Sequence, residues 1–179
     1  MKIGFTIGKF APLHKGHQYL IEKGLSEMDE FYVIIYETNL IEIPINKRAN
    51  WIKKLHPKVK VIYAENPPTK YGLDEESIKI QIDYLRDKIQ DIPVTHFYNS
   101  EKYGKFVVRD LNIKEVQVDN QRIEVPVSAT KIREDIEKYR EYINQCVYEE
   151  IVIANEEDAS DVFGIKAENT EVTTGIVQR

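Results

Sequence analysis

The segment FYVIIYE, Phe31–Glu37, is apolar at odd and even positions alike. A strand with one solvated face alternates apolar with polar. A run that is apolar on both faces predicts a strand inside a parallel sheet, covered by helices above and below. Further short runs of this kind are Ile3–Ile7, Val59–Ala64, VTHFYNS (Val94–Ser100) and EVQVD (Glu115–Asp119). Helix-length segments separate them. Gly16–Met28 carries His17, Leu20, Ile21 and Leu25 at near-helical spacing, and Glu75–Gln90 carries Ile78, Ile82, Leu85 and Ile89 on one face. Asn46–Leu55 is predicted helical up to the stop at Pro57, and Lys102–Leu111 is predicted helical as well. Strand–helix alternation with short connections implies right-handed crossovers, hence an α/β fold with a doubly wound, Rossmann-like parallel sheet of about five strands.

After the fifth strand, VSATKIREDIEKYREYI predicts a helix that starts near Ser128. The tail, Ile151–Arg179, has a predicted strand in EEIVIA and then turns acidic and poor in large apolar residues. The organisation expected is a domain over 1–147 and an extension over 148–179, for which packing on the fold, an oligomer interface and disorder all remain open.

The chain has 25 Lys and Arg against 30 Asp and Glu, a net charge of −5. That argues against a broad nucleic-acid-binding surface, whose footprint is basic, but not against one basic cleft. The single cysteine, Cys146, excludes an internal disulfide and suits a reducing cytoplasm. No stretch approaches the ~20 apolar residues of a membrane-spanning helix. Cys146, His56 and His96 lack metal-ligand spacing and are expected to be structural.

In a doubly wound sheet, ligands bind at the carboxyl ends of the strands, near the point where strand order reverses. Polar clusters fall at those ends: Gly8–His17, Thr38–Arg48, Asn99–Glu101 and Asp119–Arg122. In GKFAPLHKGH, Gly8 allows close backbone approach, Lys9 supplies charge, and His14 and His17 flank Gly16 at a helix start. Free N–H groups and the dipole there favour an anion, and two imidazoles can donate to phosphate oxygens. The alternative is a basic turn with an incidental histidine. In VPVSATKIRED, Ser128 and Thr130 stand at another helix start and Arg133 in its first turn, a second anion site or a serine cap with a solvated arginine. Neither GxxxxGK[ST] nor GxGxxG occurs, which removes the P-loop and dinucleotide-dehydrogenase readings.

GKFAPLHKGH resembles the G-x-F-x-P-x-H-x-G-H motif of the nucleotidyltransferase superfamily, and VSATKIR resembles its distal S-x-T-x-x-R motif. The intervening KRANWI, NSEKYG and VDNQR are similar to segments of NadR-type nicotinamide mononucleotide adenylyltransferases, so that the likeness covers roughly residues 1–147. This resemblance implies transfer of AMP from ATP to nicotinamide mononucleotide, giving NAD and pyrophosphate. His14, His17 and Lys9 would be catalytic. Ile7, Gly8, Phe10, Gly16, Ser100, Glu101, Ser128, Thr130 and Arg133 would bind ATP, with magnesium carried by its phosphates rather than by protein ligands. Lys47 and Arg48 would meet the acceptor's phosphate and Trp51 its flat cationic ring; the bland reading makes Trp51 a core anchor. Asp119 and Arg122 would bound the nucleotide pocket or pair with each other. The kinase domain of larger NadR-type proteins has a P-loop, which this chain lacks, so that activity is not carried over. Cytidylyl transfer, phosphopantetheine or FMN adenylylation, and a non-catalytic nucleotide sensor are the alternatives.

Overall fold

The computed structural model describes residues 1–101 and 104–157. Five strands, β1 (Ile3–Gly8), β2 (Glu30–Tyr36), β3 (Lys60–Ala64), β4 (His96–Asn99) and β5 (Lys114–Gln117), form one sheet in the order β3-β2-β1-β4-β5. Every pairing is parallel. The connecting helices are α1 (Lys15–Glu27), α2 (Ile45–Leu55), α3 (Glu75–Ile89) and α4 (Gly104–Leu111). The architecture expected from strand–helix alternation is the one observed. Among the described residues, no helix is long and apolar enough to cross a membrane.

The doubly apolar β2 explains itself through its two faces. Phe31, Val33 and Ile35 join a core with Leu20 and Ile21 of α1 and Ala49, Trp51 and Ile52 of α2. Ile34 and Tyr36 join the opposite core with Ile82 and Leu85 of α3 and Val107 of α4. The first of these layers is close: a Cβ on Gly24 of α1 would lie 2.1 Å from the Phe31 ring, so only glycine lets α1 approach the sheet there.

Two expectations beyond β5 need correction. The helix begun at Ser128 is short: α5 spans Ala129–Glu134 and is followed only by turns and a single 3₁₀ turn at Arg140–Tyr142. Asp135 ends it, because its carboxylate takes the Lys138 N–H at 3.0 Å and so competes with the helical ladder. EEIVIA is not a strand either. Residues 145–157 are helical, and Val147 and Ile151, one turn apart, are buried in the first core. Packing at helical spacing overrides the β-branched composition of that segment. This helix begins before residue 147 and continues past it; residues 158–179 lie outside the described residues.

Candidate active site

Strand order reverses between β1 and β4, whose chain neighbours lie on opposite sides of them. A cavity of about 320 Å³ opens at the carboxyl ends of these strands. Its lining gathers residues far apart in the chain: Ile7 to Phe10, His14, Gly16 and His17 from the β1–α1 connection, Ser100 and Glu101 after β4, Asp119 and Arg122 after β5, and Ser128, Thr130 and Arg133 at α5.

The histidines are placed by a reciprocal cap. His14 is the N-cap of α1, and its Nδ1 accepts from the Gly16 N–H at 3.1 Å and the His17 N–H at 3.4 Å. His17 Nδ1 accepts from the His14 N–H at 3.3 Å. This is the geometry of a capping box, with imidazoles where hydroxyl and carboxylate usually act. The rings stack with centroids 3.7 Å apart. A Cβ on Gly16 would lie 3.0 Å from the His14 ring, which favours glycine at the position before His17. An Nδ1 that accepts carries no proton, so each ring holds its proton on Nε2 as a donor. Burial, followed by the charge of Arg122, pushes the His14 pKa down to about 4. Burial, then His14 and Arg122, holds His17 well below the ordinary value. Both are neutral donors at pH 7.

The backbone around the cavity is unusual at several points. Phe10 (φ 48°), Asp119 (φ 46°) and Arg122 (φ 54°) are left-handed although none is glycine, a conformation that costs on the order of 1 kcal/mol or more apiece and collects at functional sites. Asp119 holds its loop by accepting from the N–H groups of Ile123 (2.7 Å), Glu124 (3.1 Å) and Val125 (2.9 Å). Burial alone would raise its pKa, but these donors and Arg122 bring it below the ordinary carboxylate value. Arg122 does not pair with the Asp119 side chain; it meets Glu101 at 3.3 Å across the mouth of the cavity. Ser128 caps α5 through the Lys131 N–H. Arg133 donates to the Ala11 carbonyl at 2.6 Å and to Thr130 Oγ1 at 3.3 Å, joining the distal segment to the opening one.

The acceptor residues expected from KRANWI lie elsewhere. Trp51 is 1% exposed within the first core and lines neither this cavity nor the next. Arg48 is 0% exposed, with its guanidinium bonded to backbone carbonyls. Lys47 is exposed at the start of α2 and also lines neither cavity. Amphipathic spacing turns Arg48, Ala49, Trp51 and Ile52 inward together.

A second cavity of about 530 Å³ adjoins the first and shares Ile7, Gly8 and Lys9 with it. Its walls are mainly apolar, among them Ile78, Ile82, Leu85, Phe106 and Val107. Tyr71 stands at its edge, 63% exposed, and Lys9 Nζ lies 5.5 Å from the centroid of the Tyr71 ring. Nothing in the sequence marked Tyr71 beyond an aromatic side chain in a glycine-bearing loop. Asn99 was overlooked as an individual residue: it is 5% exposed at the end of β4, donates to Glu115 at 3.0 Å and accepts from the Glu101 N–H at 3.1 Å, fixing the Ser100–Glu101 turn. Its signals in the sequence are its place at the head of the Asn99–Glu101 cluster and of NSEKYG.

A family model described as the citrate lyase ligase C-terminal domain matches residues 4–69. The trifunctional NAD biosynthesis/regulator protein NadR of Salmonella typhimurium is 30% identical over 159 residues, covering 79% of this chain and 38% of that protein. The chain therefore spans well under half the length of that relative. A probable nicotinate-nucleotide adenylyltransferase of Nitratiruptor sp. is 28% identical over 180 residues, covering 85% of this chain and 97% of that protein. Among solved structures, a NadR protein in complex with NAD and AMP-PNP matches with a TM-score of 0.61 at 23% identity, over 80% of this chain and 44% of that one, and so shares the fold. Taken with the paired motifs and the strand order, these likenesses establish that the chain belongs to the nucleotidyltransferase superfamily.

Proposed function

We propose that the chain transfers AMP from ATP to nicotinamide mononucleotide, releasing pyrophosphate and forming NAD. The observation that carries this reading is the pair of cavities meeting at Lys9. One is ringed by donors suited to a triphosphate. The other is an apolar chamber with an aromatic edge, suited to a flat ring. A half-buried lysine between them suits a reaction that brings two anionic substrates together.

In this reading a phosphate oxygen of the acceptor attacks the α-phosphorus, the bond to the bridging oxygen breaks, and pyrophosphate leaves with that electron pair. Catalysis then rests on positioning and charge stabilisation, without a covalent enzyme intermediate. His14 and His17 donate Nε2–H bonds to oxygens that gain charge in the transition state. Ser128, Thr130 and Arg133 hold the outer phosphates, while Ile7, Gly8, Phe10, Gly16, Ser100 and Glu101 shape the nucleoside pocket with Asp119 and Arg122 at its border. The carboxylates lining the cavity are already engaged, Asp119 by N–H groups and Glu101 by Arg122. In this reading magnesium enters as part of the ATP substrate, carried by its phosphates and water. The acceptor ring is assigned to the second cavity, beside Tyr71, in place of Trp51.

Purified protein incubated with magnesium, ATP and nicotinamide mononucleotide should form NAD and pyrophosphate in equal amounts. Nicotinic acid mononucleotide, phosphopantetheine and FMN as acceptors, and CTP in place of ATP, are the comparisons. No product with nicotinamide mononucleotide, or faster turnover with another pair, would reject the assignment.

A further inference from the structure

The Arg48 side chain is fully buried and lines neither cavity, yet its contacts converge on their junction. Its Nε donates to the Ile43 carbonyl at 3.1 Å, and its Nη1 donates to the Tyr36 carbonyl at 3.1 Å and also to the Lys9 carbonyl. One guanidinium in the first turn of α2 thus ties together the end of β2, the loop before α2 and the loop after β1. Burial lowers its pKa while Glu37 opposes the shift, and the group stays charged because arginine starts so high.

Burying a guanidinium among neutral carbonyls is expensive, and an apolar side chain of similar volume would fill the same space at lower cost. What arginine alone supplies is a rigid planar fork that sets several carbonyls in fixed relation. Lys9 needs such support: the next residue, Phe10, is left-handed at φ 48° with its side chain buried, so the peptide at this point is not in a relaxed conformation.

We propose that Arg48 is a positioning residue, fixing the Lys9 peptide and thereby the direction in which the Lys9 ammonium stands between the two cavities. The catalytic part of this proposal rests on the adenylyl-transfer reading; the structural link does not.

Arg48→Lys keeps the charge and removes the fork. Hydrogen exchange on the apo full chain should show amides within residues 8–13 exchanging about tenfold faster than in wild type, with β1 and β2 still protected. In turnover, kcat should fall about 10- to 100-fold with the KM for ATP within about threefold. In a Lys9→Ala background the same change should add less than about threefold, because the lysine it positions is gone. Unchanged exchange over 8–13 overturns the link, and full multiplicative loss in the double variant overturns the route through Lys9. If wild type makes no dinucleotide, the adenylyl-transfer reading and with it the kinetic role fail, while exchange still decides the structural link. Arg48→Gln, which retains an amide donor, serves the same measurements if the lysine variant does not fold.

Discussion

Two basic segments follow neighbouring strands of one sheet and have opposite fates. Gly8–His17 follows β1 and turns Lys9 and both histidines toward a cavity, while Lys15 stays exposed. Lys47–Trp51 opens α2 after β2 and buries its arginine and tryptophan. Both carry cations and aromatic groups at the end of the sheet where ligands bind. The difference lies in where each side chain spends its hydrogen-bonding capacity. His14 and His17 use Nδ1 on the first turn of their own helix and keep Nε2–H to donate. Arg48 uses Nε and Nη1 on three carbonyls. Residue type at the correct end of a sheet is therefore a weaker guide to chemistry than the local caps and turns that absorb or release polar atoms.

The comparison breaks most visibly at Trp51. Trp51→Ala should lower unfolding free energy by about 3–5 kcal/mol, the usual effect of emptying a large buried aromatic site, and leave kcat of the folded fraction within about threefold. Urea unfolding and turnover on the same preparation measure both. A large rise in acceptor KM with stability unchanged would place the indole in the site after all.

His17→Ala should behave in the opposite sense. Loss of a neutral donor to the developing charge should lower kcat about 10²- to 10³-fold, with ATP affinity within a few-fold and stability down by about 1 kcal/mol for the lost cap partner. Equal losses in kcat and in ATP affinity would make the imidazole a ground-state contact.

The sheet was legible because its signal is local: Phe31–Glu37 is apolar on both faces, and the β1, β2, β3, β4 and β5 runs were found within two residues of their observed ends. The opening and distal segments were legible as helix starts because that signal is local too: His14 and Ser128 each stand at the cap of the helix that follows. Trp51 was ambiguous because one sequence cannot say whether the inward face of a helix meets core or cleft. Tyr71 was invisible because its loop comes to Lys9 only through the packing of α3 and α4 across the sheet. The final helix over 145–157 was misread because burial of Val147 and Ile151, not the propensity of EEIVIA, decided its form.

The burial that keeps both imidazoles neutral, with the charge of Arg122 beside them, also makes the fold sensitive to acid. The His14 pKa stands at about 4 in the folded chain against an ordinary value of 6.5. Between those values the unfolded chain takes up a proton that the folded chain refuses. The stabilisation is therefore complete above pH 6.5 and is lost as pH falls through 4, amounting to on the order of 3 kcal/mol. His17, His56 and His96 are shifted the same way, each chiefly by burial, and add to the slope. The lowered carboxylates, such as Glu27 and Asp74, start from ordinary values of 4.5 and 3.8 and act mainly below this window. His14→Asn isolates the one imidazole, because asparagine can cap α1 without titrating. Urea unfolding at pH 7 and pH 4.5 should show a smaller loss for the variant than for wild type. Equal losses would mean that His14 gains its proton as readily folded as unfolded. Its Nδ1 would then be free of the helix, and the contrast between a histidine held by its cap and an arginine held by carbonyls would fail at its first residue.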